Sequence, residues 1–170
     1  MKKLLLTLLS GLSVMSATAN IIGPYADANI GINTSWSTLG LNANAGYMFN
    51  KYLGVEGGFT YSPGYSYNWG SGTYSTSYFM FDAAAKGVLQ LNNEFALFGK
   101  LGLGFNNYNS WDGCSGYNCS GPSYYGSNVG LLFGIGGQYS ISKNLALQLQ
   151  DYTVTGSNPN FFMFGVQYKF

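Results

Sequence analysis

The sequence predicts an all-β chain, an eight-stranded, antiparallel, up-and-down transmembrane β-barrel. Three observations predict it. Apolar residues recur at every second position in eight separate segments, which is the period of a strand with one face in an apolar medium. Only 8% of the 170 residues are charged, against roughly a quarter in an ordinary soluble domain, yet mean hydropathy is only +0.05. No apolar run beyond the N-terminus approaches the roughly 20 residues that a spanning helix needs, so a membrane has to be crossed with strands.

The N-terminus is an export signal by its own pattern. Lys2 and Lys3 form a positive region, Leu4 to Met15 a short apolar one, and Ala17-Thr18-Ala19 a small-x-small cleavage site. Residues 1–19 are expected to be removed, leaving a single barrel domain over 20–170. Two of the seven Lys leave with the signal, so five Lys face six acids and the mature charge is −1. No basic patch for nucleic acid remains.

The strands follow in order. In 24–33, Ala26, Ala28, Ile30 and Ile32 share a face. In 39–49 it is Leu39, Leu41, Ala43, Ala45, Tyr47 and Phe49, and in 53–61 Leu53, Val55, Gly57, Phe59 and Tyr61. Residues 79–89 present Phe79, Phe81, Ala83, Ala85 and Leu89, and 95–105 present Phe95, Leu97, Leu101, Leu103 and Phe105. Residues 129–139 present Val129, Leu131, Phe133, Ile135 and Tyr139, and 145–155 present Leu145, Leu147 and Leu149. The last segment, 161–170, alternates most cleanly, with Phe162, Phe164, Val166, Tyr168 and Phe170 on one side. The opposite faces are mostly Gly, Ala, Asn and Gln. A soluble sandwich would set charge there. An apolar outside around a small, polar inside is the inverse arrangement of a membrane barrel, and closure leaves no backbone unpaired in lipid.

The connectors alternate in length. Asn50 to Tyr52, Gln90 to Glu94 and Ser140 to Asn144 are tight, whereas about 63–76 and about 106–124 are expected as long loops. Short turns on the periplasmic side and long loops outside fit this alternation. Tyr25, Tyr47, Tyr52, Tyr139 and Tyr168 then fall at the periplasmic rim, and Tyr61, Tyr65, Tyr78, Tyr108 and Tyr125 at the outer one, as two aromatic girdles.

Three stretches carry a resemblance to a known family. They are Gly46 to Gly58 (GYMFNKYLGVEGG), Ala85-Lys86-Gly87-Val88-Leu89 through Phe98-Gly99-Lys100-Leu101-Gly102, and the alternating C-terminus that ends in Phe170. The chain resembles the eight-stranded outer-membrane β-barrels that include the barrel of outer-membrane protein A, without their peptidoglycan-binding domain. The resemblance implies a place in the outer membrane of a Gram-negative bacterium. It also implies that Phe162, Phe164, Val166, Tyr168 and Phe170 are the signal read by the barrel-assembly machinery, and that outer-membrane lipid and lipopolysaccharide surround the barrel. It implies little about activity, because one fold hosts many.

Asp27, Glu56, Asp82, Lys86 and Lys100 share the inward parity and lie at similar heights, so opposite charges are expected to pair in the lumen, the lysines with Glu56 and Asp82. Asp112 and Asp151 fall towards the outer side, and no charge is placed on the hydrocarbon band. Cys114 and Cys119 enclose four residues in the longest connector, and an exported chain permits a disulfide between them. Two thiols with no His are too few ligands for metal, and no cofactor motif is present. Tyr65, Tyr67, Trp69, Tyr74, Trp111, Tyr117 and Tyr124 sit among Ser, Gly and Asn, the composition of a contact surface. The reading is a structural or a surface-recognition, adhesion-like role, the latter through these residues towards a host glycan or protein. The alternative is a narrow pore gated by the lumen charges. A lipid-modifying enzyme is the third reading, and with no His in the chain imidazole catalysis is unavailable to it.

Overall fold

The computed structural model describes residues 22–64, 66–69, 72–114, 124–156 and 159–170, with side chains omitted over 66–69, 72–75, 111–114 and 124–125. The expected signal segment, 1–19, lies outside them. Nine strands occur among the described residues. They are β1 (Gly23–Asn33), β2 (Thr38–Met48), β3 (Leu53–Ser62), β4 (Ser66–Trp69), β5 (Gly72–Gln90), β6 (Phe95–Cys114), β7 (Tyr124–Ser140), β8 (Leu145–Val154) and β9 (Asn160–Lys169). Eight of them form the wall. Each pairs antiparallel with its neighbour, β3 with β5, and β1 with β9 closes the barrel. β4 lies outside the wall and pairs only with the outer end of β5, from Ser66 opposite Ser75 to Trp69 opposite Gly72.

The alternation in sequence is the alternation in space. Ile30, Leu41, Val55, Phe81, Leu101, Phe133, Leu149 and Phe164 are exposed on the outside, one from each wall strand. Asn29, Asn42, Glu56, Lys86, Lys100, Gln138, Gln148 and Gln167 are buried inside, again one per strand. A barrel with an apolar exterior and a polar interior has its solvents inverted relative to a soluble protein, and lipid is the surrounding that makes this favourable.

The short-turn end repeats one device three times. Asn50 Oδ1 accepts from the amides of Tyr52 and Leu53, Asn92 Oδ1 from those of Glu94 and Phe95, and Ser142 Oγ from those of Asn144 and Leu145. In each turn one side-chain oxygen takes the amides two and three residues on, which explains why Asn and Ser start these turns.

At the other end the long connectors are corrected. The sequence predicts loop over about 63–76 and about 106–124, yet β5 runs back to Gly72 and β6 on to Cys114, paired throughout. β7 begins at Tyr124 and pairs with β6 from Ser110 inwards. These segments are rich in Thr, Tyr and Asn as well as Gly, and they simply continue hairpins whose register is already set in the wall. On β6 the outward face is apolar up to Phe105 and polar from Asn107. The nine residues from Asn106 to Cys114 therefore rise about 30 Å along the strand beyond the apolar band.

Candidate functional site

The lumen is built in three layers, each set by inward parity. Nearest the short-turn end lie Tyr25, Met48, Val88, Ala96 and Phe98. The charged layer sits on them. Glu56 on β3 pairs with Lys100 Nζ at 2.5 Å and with Lys86 Nζ at 3.5 Å. Tyr25 donates its hydroxyl to Glu56 at 2.8 Å. Lys86 is wedged between two rings, with Nζ 4.7 Å from the Tyr25 centroid and 4.6 Å from that of Phe98. Cation–π attraction thus supplements a shared carboxylate. Small residues make room for this packing: a Cβ at Gly46 would strike the Tyr25 ring, and one at Gly136 the Phe98 ring.

The other two predicted acids are inside as well, but neither forms an ion pair among the described residues. Asp27 Oδ1 accepts from the amides of Asn29 and Asn44, each at 2.6 Å. Asn42 continues this ladder to Thr60, and Thr60 shares a hydrogen bond with Tyr152. Gln148 on β8 joins across β9 by donating to Asn29. Asp82 lies beside Gly58, where a Cβ would meet its carboxylate. Both lysines therefore converge on Glu56 rather than dividing between Glu56 and Asp82. Lys169, expected merely at a strand end, is buried on the inward face. The interior holds Lys86, Lys100 and Lys169 against Asp27, Glu56 and Asp82, three charges of each sign.

The third layer departs from the expectation of a small, polar lumen. Tyr78, Met80, Leu132, Tyr152, Val154, Phe161 and Met163 form one buried apolar cluster in the outer half. Trp36, from the turn between β1 and β2, packs over it. Its ring lies 5.7 Å from Tyr78 and 5.8 Å from Tyr108, both edge-on. Ser37 takes a left-handed φ of 53° in that turn, a conformation uncommon outside Gly and Asn. Tyr78 donates to Asn106 below the lid. Burial pushes the Tyr108 hydroxyl up to about 12, so it stays neutral through the physiological range.

Three girdle assignments are thereby corrected. Tyr25 and Tyr78 are buried and Tyr108 is partly buried in the interior, while Tyr47, Tyr52, Tyr61 and Tyr168 are exposed on the outside. Parity was the available signal, since Tyr25 shares that of Asp27, Tyr78 that of Asp82 and Tyr108 that of Lys100. Asp151 faces outward beside Ile135 on β7 and Phe162 on β9, and Thr153 and Asn160 follow it on the outer side, so it stands at the outer edge of the apolar band.

Phe162, Phe164, Val166, Tyr168 and Phe170 line the outside of β9 and are all exposed. Of the expected recognition residues, Tyr65 and Tyr117 lie outside the described residues. The backbones of Tyr67, Trp69, Tyr74, Trp111 and Tyr124 fall on the projecting parts of β4, β5, β6 and β7. Cys114 ends β6, and Cys119 lies outside the described residues.

A closed antiparallel barrel with this inside-out polarity and one end of short turns is a transmembrane barrel of the outer-membrane type. The chain belongs to the outer membrane protein beta-barrel domain family, whose model matches residues 4–170. Among solved structures it is similar to OprG of Pseudomonas aeruginosa, at 13% identity and a TM-score of 0.64 over 90% of this chain and 98% of that one. It is similar to Ail, the attachment invasion locus protein of Yersinia pestis, solved in complex with the heparin analogue sucrose octasulfate. That match has 19% identity and a TM-score of 0.59 over 88% and 99% of the two chains. The N-terminal barrel of Pseudomonas aeruginosa OprF matches at 12% identity and a TM-score of 0.60, over 87% and 97%. These likenesses are likenesses of fold. No match is found among curated proteins.

Proposed function

We propose that this barrel is an anchor that holds a recognition sheet above the outer membrane. The observation that carries the reading is the projection of β5, β6 and β7. These strands have 19, 20 and 17 residues, where a tilted span needs about 9–11. The surplus is paired sheet with a Tyr, Trp, Ser, Gly and Asn composition, which suits contact by rigid rings and adaptable hydrogen bonds. The long-strand end faces the cell exterior in this reading.

Charge narrows the ligand. Every Lys of the mature chain lies either in a short turn (Lys51, Lys143) or inside the barrel (Lys86, Lys100, Lys169), and the chain has no Arg. The projecting sheet thus carries no cation to meet a sulfated or phosphorylated glycan of the kind bound by Ail. A neutral saccharide or a host protein surface, met by aromatic stacking, is the complementary ligand. The pore alternative draws on the charged layer, but the apolar cluster and the Trp36 lid stand across its outer half, which disfavours a standing ion path.

A binding assay tests the reading. Folded protein is applied to an array of neutral and sulfated glycans, beside a variant with residues 66–74 and 111–124 replaced by short turns. Binding to neutral sugars that disappears in the variant is the expected result. Equal binding by both proteins overturns it. Lipopolysaccharide contact and delivery by the barrel-assembly machinery are part of the same proposal for the membrane-embedded wall.

A further inference from the structure

Three buried polar groups around the Trp36 lid make no hydrogen bond among the described residues. They are Asn33 Nδ2, Asn106 Nδ2 and the Tyr108 hydroxyl. Asn33 and Asn106 are at most 1% exposed, and each spends its oxygen while its nitrogen stays free. Asn33 Oδ1 accepts from the Ser35 amide in the turn that carries Trp36, and Asn106 Oδ1 accepts from Tyr78. β1 and β6 are diametrically opposed in the wall, so the two amides stand on opposite sides of the outer mouth. A buried donor left without an acceptor is costly, and three at one mouth call for a ligand that supplies the acceptors.

The occupant of the mouth is a flat ring. Trp36 meets Tyr78 and Tyr108 edge-on, yet it satisfies none of the three groups. Its turn holds Ser37 at a φ of 53°, a left-handed conformation of the kind that gathers at ligand clamps and switches. The approach from outside is polar and uncharged. Inward parity continues from Tyr78 to Thr76 on β5, from Tyr108 to Ser110 on β6, and to Gly126 on β7 opposite Tyr108, all partly exposed. The free groups are donors, which excludes a cation. The first lysine below, Lys100, is three inward positions beneath Asn106 on β6, which leaves an anion no counter-charge. A neutral ring bearing several acceptor oxygens fits what remains.

We propose that the outer mouth is a binding site for one neutral pyranose residue, closed in the free protein by Trp36. The sugar displaces the indole, a ring of similar size, and packs its C–H face against Tyr78 and Tyr108. Its hydroxyl oxygens accept from Asn33 Nδ2, Asn106 Nδ2 and the Tyr108 hydroxyl. A site whose buried donors are paired only by the ligand discriminates strongly against a ring that lacks the hydroxyls. The inference rests on the neutral-glycan reading above and places a terminal sugar at the foot of the projecting sheet.

Two-dimensional NMR of the nitrogen-labelled full chain in micelles tests the proposal. The probes are the methyl glycosides of glucose, galactose and N-acetylglucosamine, with cyclohexanol as the ring that lacks the hydroxyl set. The indole signal of Trp36, assigned by its loss in Trp36→Phe, and the side-chain amides of Asn33 and Asn106 should shift saturably with at least one glycoside and not with cyclohexanol. Tyr108→Phe removes only an unpartnered hydroxyl, so it should weaken binding about fivefold or more while the unfolding midpoint does not fall. Asn106→Asp keeps the acceptor for Tyr78 and should weaken binding likewise; Tyr108→Phe decides if that variant fails to fold. Trp36→Ala, which removes the lid, should tighten binding. No saturable shift with any of the three glycosides overturns the proposal, as does binding indifferent to Tyr108→Phe. The variant with residues 66–74 and 111–124 replaced should still show these shifts, because every mouth residue stays in place. An array on which the wild type binds nothing, beside glycoside shifts that persist, would sink the sheet and leave the mouth; the reverse would sink the mouth alone.

Discussion

Lys86 on β5 and Lys100 on β6 stand directly opposite each other across the ladder, inside the barrel, and a single carboxylate serves both. Like charges in register destabilise a sheet. Here Glu56 reaches in from β3, and the Tyr25 and Phe98 rings spread the remaining positive charge over their faces. The arrangement explains why Glu56 is more demanding than either lysine, since its loss strands two cations rather than one.

Glu56→Gln is therefore expected to destabilise the folded barrel by about 3–5 kcal/mol, the usual effect of removing one partner from a buried pair. Lys86 and Lys100 are both nearly inaccessible, so solvent cannot compensate. Adding Lys100→Met to Glu56→Gln should recover part of the loss. Urea unfolding of full chain in lipid vesicles measures both. A Glu56→Gln barrel within about 1 kcal/mol of wild type would mean that water reaches the layer and screens it.

The lumen's conductance separates plug from gate. Planar bilayers holding the wild type should show only baseline current, because Tyr78, Phe161 and Met163 close the outer half under Trp36. Tyr78→Ala with Phe161→Ala should open a measurable current. Lys86→Met alone should leave it at baseline. A large steady current in the wild type, or one that appears with Lys86→Met alone, would instead make the charged layer the gate.

Alternation made the wall legible from sequence, and it failed where a second criterion was laid over it. Met80, Asp82, Ala84 and Lys86 were placed inside by parity, and so they are. Tyr25 and Tyr78 have inward parity too, but their position at strand ends suggested a girdle, and end position was the weaker argument. Phe161 and Met163 were on the inward face throughout; their size, set against a face expected to be polar, hid the plug. The convergence of both lysines on Glu56 depends on how β3 meets β5 around the barrel, a long-range register that spacing within one strand cannot give. Nothing local to Trp36 shows that its turn folds over the lumen. Composition misled at residues 72–76 and 106–114, where Ser, Asn and Gly read as loop although the wall's register carries the strands onward.

The short turns should tolerate little. In Asn50→Ala and Asn92→Ala, one oxygen that takes two amides is lost. Each is exposed, so water replaces part of the interaction and the cost should be about 1 kcal/mol. Asp at either position keeps the acceptor and should restore stability. The comparison of Ala with Asp in the same unfolding assay checks the hydrogen bonds apart from the backbone.

Cys114 at the end of β6 and Cys119 five residues on are proposed to form a disulfide in the exported protein. Mass spectrometry without reductant should find the intact chain two hydrogens lighter than the reduced one. Double replacement by Ser should leave the barrel's unfolding unchanged, because the crosslink lies far beyond the apolar band, while lowering glycan binding through a looser sheet tip. Two free thiols in protein purified from the envelope would end this proposal.

Phe170 separates assembly from stability. The residue is 73% exposed, and its ring meets that of Tyr168 edge-on at 5.3 Å. It touches neither the charged layer nor the plug. Deleting it removes one exposed backbone hydrogen bond, from the Phe170 amide to Pro24 O at 3.1 Å, and should cost the refolded barrel no more than about 1 kcal/mol. If Phe162, Phe164, Val166, Tyr168 and Phe170 are read as a signal by the assembly machinery, the same deletion should sharply reduce the folded protein recovered from outer membranes in cells. Phe170→Trp, which keeps a terminal aromatic, should restore it. Equal recovery of the deleted chain and the wild type would reduce the terminal alternation to plain lipid-facing wall.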